Sequence, residues 1–120
     1  MEQYVDSDGL DKLAVLWTSA DREVALKMVF MYTRNSKKHG WWEVVRLIVW
    51  GPSAKLLATD EELQLYIHEM LDSGIEIVAC KGCSDLYGVS DKLCNLGIEV
   101  IYMGEPLTYM LKTDWKVITV

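Results

Sequence analysis

Ile75-Glu76-Ile77-Val78-Ala79-Cys80-Lys81-Gly82-Cys83-Ser84-Asp85-Leu86-Tyr87-Gly88-Val89 is the stretch on which the reading of this 120-residue chain turns. From Ile75 to Cys80 it is apolar except for Glu76, the composition of a short strand covered on both faces. Lys81-Gly82-Cys83 then breaks the apolar run, so the strand ends on a thiol. Outward from this stretch the same pattern repeats. Lys12 to Trp17 reads as a first strand, and Glu43 to Trp50 as a second that stops at Gly51-Pro52-Ser53. Ile98 to Tyr102 and Lys116 to Val120 read as a fourth and a fifth. Helical segments are expected between them, from Ala20 to Ser36, from Thr59 to Asp72, from Ser90 to Leu96 and from Gly104 to Lys112. Thr18-x-x-Asp21 and Thr59-x-x-Glu62 have the form of capping boxes. Strands alternating with helices imply parallel pairing through right-handed crossovers. The expected fold is an α/β three-layer α/β/α sandwich around a five-stranded, mainly parallel sheet.

Composition limits what such a domain can do. The chain is 51% hydrophobic and 25% charged, a globular profile, and its 12 Lys+Arg against 18 Asp+Glu give a net charge of -6. Without a basic cluster it is a poor match for nucleic acid. Residues 1–11 carry Glu2, Asp6, Asp8 and Asp11 and no base, so they read as an acidic N-terminal arm ahead of a single domain over residues 12–120. No apolar run reaches the ~18 residues of a membrane span, since Glu43 and Arg46 interrupt the greasiest stretch. The start of the chain lacks a signal-peptide pattern, so a cytoplasmic location is expected, and three cysteines favour free thiols over a disulfide framework.

In parallel α/β sheets, chemistry gathers at the carboxyl ends of strands. Here that rule selects Thr18, Trp50, Ser53, Cys80 with Lys81, Gly82 and Cys83, and Met103-Gly104. A thiol at a strand-to-helix junction meets helix N–H groups that favour its thiolate, and Lys81 adds a cation. From position alone Cys80 is equally a small core residue and Cys83 a loop thiol. Thr18 and Ser53 read as pocket residues or, more simply, as helix caps. Cys94 shares the spacing of Leu93 and Leu96 and is expected in the core, which leaves His39 and His68 too few partners for a metal site. His39 reads as a helix-end cation and His68 as a surface side chain. No phosphate loop, GxGxxG or hydrolase triad is present, and no cofactor is expected.

The segment Ile77 to Val89 resembles the DsrE/DsrF-like family of sulfur-relay proteins. There an apolar strand ends in a cysteine and a Gly-Val or Gly-Ile pair follows about eight residues later, the frame of Cys80 with Gly88-Val89. The resemblance implies a DsrEFH-like fold, with Cys80 at the position of a persulfide-carrying cysteine and Cys83 as a second thiol. It also implies donor and acceptor proteins for sulfane sulfur and assembly into trimers or hexamers. Where the family commonly has Arg before the glycine, this chain has Tyr87. The other reading of the same residues is a non-catalytic oligomeric binding protein that uses the strand-end cleft for a small ligand.

One surplus points to self-association independently of that resemblance. The first helix reads Ala25-Leu26-Lys27-Met28-Val29-Phe30-Met31-Tyr32, apolar on nearly every side, although a helix over a sheet needs only a stripe. An exposed Met and aromatic surface of this kind marks an interface, so a homo-oligomer is expected.

Overall fold

Runs of branched and aromatic side chains form the strands, and their pairing places everything else. The computed structural model describes residues 9–120. Its strands are β1 (Lys12–Trp17), β2 (Val44–Val49), β3 (Glu76–Cys80), β4 (Glu99–Ile101) and β5 (Lys116–Thr119). They form one sheet in the order β4-β3-β2-β1-β5, with every pair parallel. Between them run a helix over residues 22–38 (α1), Pro52–Thr59 (α2), Glu61–Asp72 (α3), Lys81–Tyr87 (α4), Ser90–Asn95 (α5) and Gly104–Lys112 (α6). Within α1 the segment Ala25–Val29 is a π-helix.

The strand order decides how the faces are covered. From β1 to β4 each strand is laid down beside the last in one direction, so right-handed crossovers keep their helices on one face. The chain then returns across the sheet to place β5 beside β1, which puts α6 on the opposite face. Side chains follow this division. Leu13, Val15, Trp17, Leu47, Val49, Ile77 and Ala79 pack under α1, α2, α3 and α5. Trp17 meets Phe30 edge-on at 5.1 Å there. Each fully buried Leu or Ile in this layer contributes roughly 1.5–3 kcal/mol. The second face holds Ala14, Ile48, Val78 and Cys80 against Met103, Met110 and Trp115. One nine-residue helix covers it, and Leu16, Val44, Trp50 and Ile101 stay partly open.

Several local expectations are corrected. Pro52–Thr59 and Lys81–Tyr87 are helices to which the sequence reading assigned no range. Pro52 at the start of α2 suits a first turn that needs no N–H, and Gly88, with φ of 70°, ends α4 after seven residues. The caps are aspartates: Asp21 accepts from the Val24 N–H and Asp60 from the Leu63 N–H, each at 3.1 Å. Thr18 and Thr59, expected in those roles, bond to Val120 O and to the last turn of α2 instead. Cys94, expected in the core, is exposed, because on the two-turn α5 the inward positions belong to Leu93 and Leu96. Of the expected arm, residues 1–8 lie outside the described residues. Asp11 is joined to the start of the central strand β2, its carbonyl accepting from the Glu43 and Val44 N–H groups at 3.0 Å.

Candidate active site

Strand alternation aims Cys80 at the thinly covered face, and register identifies its neighbours. Val49 lies beside Ala79, so the next residues, Trp50 and Cys80, are flanking partners on the second face. On the other side Cys80 pairs with Ile101. Thr18 precedes Trp50 in the same row, because Trp17 pairs with Val49. The row Thr18–Trp50–Cys80–Ile101 therefore crosses the carboxyl edge of four strands. After β3 the chain leaves toward the first face, and after β4 toward the second. Adjacent strands whose exits diverge open a crevice, and Cys80 stands at that switch point.

Cys80 is the residue from which α4 starts, and its side chain is 8% exposed. Its carbonyl accepts from the Ser84 hydroxyl at 2.8 Å, which fixes the first turn. That turn brings Cys83, half-buried, back into the same cluster as Cys80. Burial pushes the Cys83 thiol up, contact with Cys80 adds to the rise, and the Gly51 N–H opposes it. The net direction for Cys83 is upward.

The other expected site residues divide into two groups. Trp50 packs with Cys80 and Cys83 in one apolar cluster. A Cβ on Gly82 would stand 4.0 Å from the Cys80 Sγ, an ordinary contact, so Gly82 leaves that flank of the sulfur bare. Lys81 turns outward. Its Nζ pairs with Asp85 at 2.9 Å and lies 5.6 Å from the Tyr102 ring centre, and the Asp85 bond raises its pKa. Thr18 is half-buried, its hydroxyl committed to Val120 O at 3.0 Å. Ser53 is fully buried and lines nothing. Its hydroxyl donates to Trp17 O at 2.6 Å and accepts from the Trp50 N–H at 3.1 Å, clamping the ends of β1 and β2 together. Ile101 and Tyr102 join the site without having been expected, since only the strand order places β4 beside Cys80. His39 and His68 are both exposed, and His39 stacks on Trp41 at 5.2 Å. Among the described residues no group of three His, Cys, Asp or Glu side chains is placed to hold a metal ion. None of their helices is long and apolar enough to cross a membrane.

No family model and no curated protein matches the chain. Solved structures do. A conserved protein of unknown function, BT1422 from Bacteroides thetaiotaomicron, is 46% identical over 92% of this chain and 95% of its own, with a TM-score of 0.89. The ychN protein from E. coli and a protein of unknown function, MTH1491 from Methanobacterium thermoautotrophicum, are 17% and 22% identical. Both cover 92% of this chain and 100% of their own with TM-scores of 0.68, a likeness of fold.

Proposed function

The chain belongs to the family of the conserved protein BT1422, and on that footing we propose that it is a DsrE-like sulfur carrier that holds sulfane sulfur as a persulfide on Cys80. The observation that carries this reading is the packing of two cysteines, Cys80 and Cys83, in one cluster at the switch point of a parallel sheet. Cys80 ends β3, and Gly82 leaves one flank of its sulfur bare, so Cys80 is the nucleophile of the pair in this reading.

The chemistry is a thiol exchange. The Cys80 thiolate attacks the outer sulfur of a donor persulfide, forming a new S–S bond as the donor's own S–S bond breaks. The donor leaves as a thiolate, to which Cys83 can pass its proton. An acceptor thiolate then takes the outer sulfur from Cys80 in the same way and releases the Cys80 thiolate. With no acceptor present, Cys83 as thiolate attacks the Cys80 sulfur, expels hydrosulfide and closes a Cys80–Cys83 disulfide, which a dithiol reductant reopens. Trp50, Ile101 and Met103 wall the sulfur on the sheet side and limit its loss to water.

Mass spectrometry of the intact protein after treatment with inorganic polysulfide tests the reading. A gain of one sulfur atom that persists in Cys83→Ser and is lost in Cys80→Ser is expected. Cys83→Ser protein, in which no second thiol can resolve the persulfide, that takes up no sulfur overturns it. The burial of Cys80 favours the second reading, a binding protein whose thiols are structural. In that case Cys80 resists alkylation until the protein unfolds.

A further inference from the structure

Two stripes of side chains on the outer surface of the first face match one another in length and oppose one another in charge. Along α1 the exposed positions Lys27, Met31 and Lys38 lie on one flank, and along α3 the exposed positions Glu61, Leu65 and Asp72 do so. From Lys27 to Lys38 is eleven residues, and from Glu61 to Asp72 is also eleven, so each stripe is about 16 Å long at helical rise. Met31 and Leu65 each stand four residues from the start of their stripe and are 51% and 64% exposed, unusual for large apolar side chains. The charges between the two helices are already matched within the chain: Arg22 pairs with Asp60 and Glu62, and Arg34 with Glu69. Lys27, Lys38, Glu61 and Asp72 have no such partners among the described residues.

Both helices return from parallel strands on the same face, so they point the same way, and the Arg22 and Arg34 pairs show that they run side by side. We propose that this face binds a second copy of the chain about a two-fold axis parallel to the two helices. Such an axis lays α1 of each copy over α3 of the other, running in the same direction. It sets Lys27 near Glu61, Met31 on Leu65 and Lys38 near Asp72, and repeats each contact twice. Like-charged stripes meet under the perpendicular two-fold axis in the plane of the face, which selects this arrangement over that one. Along the groove between the helices, a cleft of about 310 Å³ floored by Phe30 and Tyr66 and edged by Met31 gives the partner's Leu65 a place to enter. A two-fold contact of this kind occurs in dimers and in hexamers built from dimers, and not in a closed trimer.

Charge exchange tests the arrangement on the full chain, with mass read by analytical ultracentrifugation at micromolar concentration. The wild type sediments as an even-numbered assembly whose dissociation constant rises with added salt. Lys27→Glu with Lys38→Glu weakens association more than tenfold, and so does Glu61→Lys with Asp72→Lys. All four reversals together restore it, and circular dichroism shows that each variant is folded. A wild-type monomer overturns the proposal, as does a trimer. So does an assembly that is indifferent to the two double reversals, which would place the interface elsewhere.

Discussion

The two faces of the sheet are built from the same strands and differ in what lies on them. Four helices press on the first face, where almost every side chain is fully buried and polar atoms are few. The second face carries α6 alone, and polar groups reach into its centre. Arg46 sits 4.4 Å from the Trp115 ring, Lys12 5.6 Å from the same ring, and Arg46 also pairs with Glu76 at 2.7 Å. The candidate nucleophile points to this thinner side. Burial is concentrated on one face and the candidate nucleophile on the other, so substitutions should separate the two.

The largest effect is expected from the thick face. Ile67→Ala should cost about 2–5 kcal/mol in urea unfolding, whereas Leu107→Ala, half-buried on α6, should cost about 1 kcal/mol. Equal losses would erase the contrast. Ser53→Ala comes next, at about 1–2 kcal/mol, because it removes the hydroxyl that bonds the Trp17 carbonyl at 2.6 Å and leaves that carbonyl only the Trp50 N–H at 3.0 Å.

Asp60 gives a smaller effect with a pH signature. Burial alone would raise its carboxyl, but the Leu63 N–H and the Arg22 guanidinium outweigh that and hold it below the usual range. A depressed folded pKa means that the native state binds its proton less readily than the unfolded chain does. The stabilisation is therefore present above the ordinary carboxylate range and is lost as pH falls through the lowered value. Asp60→Asn should lower stability by about 1 kcal/mol at neutral pH, with the gap to wild type closing in acid. A gap that does not change with pH would remove the ion pair from the account. Gly82→Ala should shift stability least, by up to about 1 kcal/mol and in the stabilising direction, because Gly82 lies within a helix. Its effect should fall instead on chemistry, with slower alkylation of Cys80 as the new methyl covers the open flank.

These contrasts also explain what could be read from the chain alone. The strands were legible because each is a short apolar run bounded by glycine, proline or charge, as Ile75 to Cys80 illustrates. Cys80 and Cys83 were legible as a pair, since three residues span one helical turn whatever surrounds them. The uneven covering of the sheet was not, because it follows from β5 returning to the far side of β1, and no residue in Lys116–Thr119 encodes its neighbour. The same ignorance hid Ile101 and Tyr102. Ser53 misled for a different reason. A serine after Gly-Pro looks like a capping residue, yet its hydroxyl here turns inward, where it bridges the Trp17 carbonyl of β1 and the Trp50 N–H after β2.

The π-helical segment Ala25–Val29 has a consequence for the length of the chain. In it the Phe30 N–H reaches back five residues to the Ala25 carbonyl, so this turn holds one residue more than an α turn. Removing one residue there converts the bond to the ordinary four-residue step without rotating either end of the helix against the other. The segment thus acts as a slack loop in a ruler. Ala25 upstream, and Phe30, Thr33 and Ser36 downstream, keep their inward aim whether or not the spare residue is present. Deletion of the exposed Met28 is thereby the one-residue shortening that the first helix can absorb without turning its buried side toward solvent.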